Sequence, residues 1–119
     1  MDRKEIFWVA SSQKDLSKFP KKEKDEALFG LGLAQEGEVY HRFKPLQGFS
    51  GASVIELKLN AREGTFRVIY TVKFKEAIYV LHAFQKKSKT GIKTDKQDID
   101  LIHERLKQAQ QHYKEWSQK

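Results

Sequence analysis

The sequence predicts a single-domain α+β fold, and three observations lead there. Residues 54–59, 65–72 and 77–84 are rich in β-branched and aromatic side chains and are separated by short polar turns. The C-terminal stretch carries one apolar stripe at helical spacing. The length, 119 residues, suits one hydrophobic core and not two.

Taken in order, Ile6-Phe7-Trp8-Val9 is a short apolar run that reads as a first strand, broken by Ser11, Ser12 and Asp15. A helix is expected from Ser17, which can cap it, with Pro20 in a first turn that tolerates proline. Leu16 and Phe19 flank its start. Ala27, Leu28, Leu31 and Ala34 continue at helical spacing, and Phe29 and Leu33 widen the apolar face. Gly30 and Gly32 weaken this helix, and Gly37 ends it. Residues 39–50 read as a loop, punctuated by Pro45 and Gly48. The three strands follow, with turns at 60–64 and 73–76, and turns this short imply an antiparallel meander. Residues 86–93 form a basic loop. Thr94 with Gln97 then fits a capping box, and Asp95, Asp98 and Asp100 suit the positive end of a helix dipole. Ile99, Ile102, Leu106, Ala109, Tyr113 and Trp116 make the stripe of that last helix. The expected order is strand, helix, three strands, helix, with helices against a small twisted antiparallel sheet.

The formal charge is +7, which favours polyanionic partners: RNA, DNA, an anionic membrane surface or an acidic protein. No cysteine is present, so disulfide frameworks and thiolate metal sites are excluded, in keeping with a reducing cytoplasm. A charged start with no long apolar run after it reads as neither signal peptide nor membrane span.

Strand alternation sorts the candidate site residues. Glu56 and Lys58 share one face, and Ile55, Leu57 and Leu59 share the other, where a core is expected. Arg67 points away from Phe66 and Val68. The polar groups are therefore expected to gather on a charged concave face rather than in a core. Glu56 is a carboxylate in an apolar strand and can serve as a general base; equally, it can be half of a cross-strand ion pair. Arg67 has the fork geometry for a phosphate, or for a surface ion pair. Lys58 and Arg62 are weaker candidates of the same kind. The segment from Phe84 through Lys86, Lys87 and Lys89 to Gly91 is the densest basic patch, with an aromatic at its head that can stack a base; it can also be a solvated lysine loop. His82, inside an apolar strand, reads as a satisfied core histidine. His41, His103 and His112 show no metal-ligand spacing, and no metal site or cofactor is expected.

The run Ile78-Tyr79-Val80-Leu81-His82-Ala83-Phe84-Gln85-Lys86-Lys87-Ser88-Lys89-Thr90-Gly91 resembles the phage-related HigB-like toxins of the RelE/ParE superfamily. So do Lys44-Pro45-Leu46, Ile55-Glu56-Leu57 and Arg67-Val68-Ile69-Tyr70 upstream, and the similarity extends from Trp8 to about Ala109. The resemblance implies a RelE-like fold and an endoribonuclease (an mRNA interferase) acting on messenger RNA, often on the ribosome. It also implies a helix-turn-helix antitoxin as partner. Residue by residue, Glu56 matches the family's base and Arg67 its phosphate-stabilising arginine. Phe84, Lys86 and Lys87 fall where relatives bind substrate or place the acid. Some relatives carry histidine or tyrosine there; this chain is lysine-rich, and Lys86 is the catalytic candidate. Lys58, Arg62, Phe84, Lys87 and Lys89 are the expected substrate contacts. Two other functions fit the same fold: a ParE-type toxin that binds DNA gyrase without cutting RNA, and a non-catalytic nucleic-acid-binding module.

Overall fold

A computed structural model describes residues 3–49, 51, 53–86 and 94–118. The chain runs β1 (Glu5–Trp8), α1 (Ser12–Ser17), α2 (Lys21–Gln35), β2 (Phe43–Pro45), β3 (Val54–Ala61), β4 (Gly64–Thr71), β5 (Ala77–Lys86) and α3 (Lys96–Ser117). The α+β class is as the sequence predicts. The five strands form one sheet in the order β1-β5-β4-β3-β2. β3, β4 and β5 are the expected antiparallel meander. β1 joins it parallel to β5, with Trp8 opposite Val80, so the sheet is mixed rather than wholly antiparallel.

Three local expectations are corrected. The helix expected from Ser17 begins at Lys21, and a separate helix, α1, occupies the stretch read as ending the first strand, with Ser17 ending α1 instead of capping α2. The break falls where Phe19 donates back to Leu16 and Pro20 is extended (ψ 152°); proline has no N–H to continue a helix ladder. Within the expected loop 39–50, Phe43–Pro45 pairs with β3, Lys44 opposite Glu56. Three residues next to a proline give no alternation to read, and an edge position tolerates the proline. The capping box at Thr94 does not form: Asp95 is the N-cap of α3 and makes no side-chain cap bond.

The sheet buries both faces. On one side α1 and α2 cover Leu57, Leu59, Phe66, Val68, Tyr70, Ile78 and Val80. On the other, the α3 stripe covers Val54, Ile69, Ala77, Tyr79 and Leu81 through Ile102, Leu106 and Ala109. Fully burying one such aliphatic side chain is worth about 1.5–3 kcal/mol. The core face of Leu57 and Leu59 is as predicted. The face of Glu56 is corrected: it is not an open charged surface, because α3 gives it a core of its own, and charge is confined to the end near Glu56 and Lys86.

A β-bulge decides what reaches that end. Ile69 lies opposite His82 while Tyr70 lies opposite Val80, so Leu81 is an extra residue in β5. Tyr79 and Leu81 point toward α3, and after the bulge His82, Phe84 and Lys86 point the same way. His82 and Lys86 accordingly bond Asp98 and Asp95 at the start of α3. In uninterrupted alternation Lys86 would point to the α2 side.

Candidate functional site

Glu56 and Arg67 stand on neighbouring strands of the face beneath α3, displaced by one step of the register, since Glu56 is opposite Ile69 and Lys58 is opposite Arg67. Arg67 Nη1 donates to Glu56 Oε2 at 2.8 Å. Thr94 closes the group: its hydroxyl donates to the same carboxylate oxygen at 3.1 Å and accepts from Arg67 Nη1 at 3.3 Å. Arg67 is 0% exposed and Glu56 8% exposed. The pair is thus desolvated, and the hydrogen bonds to Glu56 Oε2 offset part of that cost. Arg67 is buried, and its Nη1 faces Glu56 and Thr94.

Glu56 opens onto a cleft of about 370 Å³, which it lines with Lys44, Pro45, Leu46, Gln47, Thr94 and Ile99. Lys44 is exposed and lies opposite Glu56 in the β2–β3 register. Lys86, next to the entrance of α3, makes an ion pair with Asp95 at 3.2 Å. Phe84 is partly exposed and stacks on His82, ring centroids 4.5 Å apart. His82 is buried and its Nε2 bonds Asp98 at 2.9 Å, as expected of a core histidine, but its Nδ1 is buried without a hydrogen bond among the described residues. Burial holds the imidazole below its ordinary value of 6.5, outweighing the opposing hydrogen bond to the Asp98 carboxylate.

The structure therefore brings Glu56 and Arg67 into contact and sets Lys58, Phe84 and Lys86 on the same face. Lys58 is half-buried beside Arg67. Arg62 is exposed in the β3–β4 turn and takes no part in the Glu56–Arg67–Thr94 group. Lys87 and Lys89 lie outside the described residues. Sequence reasoning missed Thr94, which looked like a helix cap, and gave no role to Lys44 or Gln47 in what read as a loop. Only the β2–β3 pairing reveals Lys44 at the cleft; no local signal does. Among the described residues no group of three or more His, Asp or Glu could hold a metal ion.

Chemically, the arrangement offers a fixed carboxylate at the wall of a cleft, a buried guanidinium behind it, and lysines at the surface around it. A carboxylate so held can accept a proton from a hydroxyl that enters the cleft. Lysine ammoniums beside it can neutralise phosphate.

No helix among the described residues is long and apolar enough to cross a membrane. No curated protein matches the chain in sequence. Among solved structures, it is similar to the crystal structure of the toxin–antitoxin complex RelBE2 from Mycobacterium tuberculosis. That match has 19% identity, covers 74% of this chain and 97% of that chain, and has a TM-score of 0.47. Residues 14–107 match the model of a family described as phage derived protein Gp49-like (DUF891). That span holds every element from α2 to β5 and most of α3, and the chain belongs to this Gp49-like family.

Proposed function

We propose that the protein is the toxin of a toxin–antitoxin pair and acts as an endoribonuclease on messenger RNA. The observation that carries this reading is the placing of Glu56, backed by Arg67, on the wall of a cleft that Lys44 borders. The Gp49-like assignment covers the stretch on which the RelE/ParE resemblance rests. Glu56 takes the proton of a ribose 2′-hydroxyl. The 2′-oxygen attacks the adjacent phosphorus, the bond to the 5′-oxygen breaks, and a 2′,3′-cyclic phosphate and a 5′-hydroxyl end result. Arg67 holds the carboxylate in place and lends positive charge from behind it. Lys44, Lys58 and Lys86 meet the phosphates, and Phe84 offers a ring to a base. A lysine ammonium or a water protonates the leaving oxygen. In the cytoplasm a helix-turn-helix antitoxin covers this basic end, and positive charge speeds their association.

The test is controlled expression of the wild type and of a Glu56→Gln variant shown to be folded, with growth and messenger RNA integrity followed together. Growth arrest with cut RNA in the wild type, and neither in the variant, is expected. Arrest with intact RNA would point instead to a gyrase-type target. No arrest at confirmed expression would favour a binding module.

A further inference from the structure

The α2 side of the sheet holds a second cavity that the proposed chemistry does not use. α2 ends at Gln35, and the apolar sheet face runs on beyond it. The register row Pro45–Ile55–Tyr70 lies there, with Phe43 and Val72 beside it. Together with Ala34 and Val39 these side chains line a groove of about 420 Å³. Pockets of this size with mostly apolar walls and few polar groups are the usual form of small-molecule sites.

Tyr70 is the unusual element. It is 0% exposed, lines the groove, and packs edge-on against Phe43 at 5.2 Å. Its hydroxyl makes no hydrogen bond among the described residues, although Tyr40, Tyr79 and Tyr113 each bond a partner. Tyr70 lines the groove, so an acceptor that enters there can accept from its hydroxyl. Burial raises the phenol above its ordinary range, so it stays protonated and able to donate. The groove is bordered by Lys4 and Lys44 against a single acid, Glu38. Lys4 is anchored there by donating to the Phe74 carbonyl at 2.9 Å.

We propose that this groove binds a small apolar molecule carrying a carboxylate, such as an aryl or branched-alkyl carboxylate. The carboxylate accepts from Tyr70 and is favoured by the two lysines, and the apolar body lies on Ile55, Val72, Phe43 and Pro45. The groove shares Lys44 and Pro45 with the Glu56 cleft but uses neither Glu56 nor Thr94, and it stands whether or not the chain cuts RNA.

The experiment titrates the full chain with 4-isopropylbenzoate and with its neutral counterpart, 4-isopropylbenzamide, following the methyl resonances of Val39, Ile55 and Val72. A ligand of this size in such a groove should saturate with a dissociation constant of about 0.1–1 mM. The amide should bind several-fold more weakly. Tyr70→Phe should weaken the benzoate about tenfold, the loss of one hydrogen bond to a charged acceptor, without lowering the melting temperature. Val39 is exposed, so Val39→Glu should fold; it should weaken the benzoate and leave the amide unchanged. Shifts that fail to saturate by about 5 mM, well above that affinity range, would overturn the proposal. So would equal binding of both compounds, or of the benzoate by wild type and a folded Tyr70→Phe.

Discussion

Removing the guanidinium in Arg67→Ala leaves the Glu56 carboxylate with its principal cation gone and little water to replace it. Breaking one side of a buried pair costs about 3–5 kcal/mol, so urea unfolding of this variant should show a loss of that order. Loss of activity in Arg67→Ala is therefore no proof of a catalytic role, and Glu56→Gln, which keeps the size and an acceptor oxygen, is the better instrument. Thr94→Val removes one donor to Glu56 and should cost about 1 kcal/mol by the same measurement. His82 gives a pH signature. Its folded value lies below 6.5, so the unfolded chain binds the proton more readily. Its contribution to stability is complete above 6.5 and is lost as pH falls through the lower folded value. Urea midpoints should drop as pH is lowered from about 7, and His82→Gln should drop less; equal slopes would remove His82 from the explanation.

At the scale of elements, β3, β4, β5 and α3 were legible because period-two and period-3.6 patterns are strong over eight or more residues. The division of α1 from α2 was hidden because Ser17 and Pro20 are each compatible with a helix start, and only tertiary packing chooses between starting and breaking. β2 was hidden by its length, and β1's parallel partner by its distance in sequence. Of the site, Glu56 and Arg67 were legible from alternation, but their mutual neutralisation was not, because it depends on register. Lys86 was expected in a basic patch on composition and at the site by resemblance; what brings it to the face of Glu56 is the extra residue at Leu81, a change of phase that no residue type announces. The stripe of α3 holds Asp95, Asp98 and Thr94 over the site through Ile102, which is 0% exposed. Ile102→Ala should cost about 2–4 kcal/mol in chemical unfolding, and Ile99→Ala, at a half-buried position, clearly less.

Over the whole molecule the +7 charge sets how it meets a polyanion. If Lys44, Lys58 and Lys86 each neutralise one phosphate, binding of a single-stranded RNA oligonucleotide should weaken about twentyfold between about 50 and 200 mM salt. Fluorescence anisotropy checks this, and an affinity indifferent to salt would contradict it. Charge alone does not distinguish a ribonuclease from a binding module; the chemistry of the RNA ends does. The most direct measurement is therefore to induce the protein, recover cellular messenger RNA, and map new 5′ ends by a ligation that captures only 5′-hydroxyls. The expected result is a set of internal 5′-hydroxyl ends that appear with the wild type and are absent with folded Glu56→Gln. New ends bearing 5′-phosphate, or 5′-hydroxyl ends undiminished in Glu56→Gln, would contradict attack by the 2′-hydroxyl with Glu56 as its base.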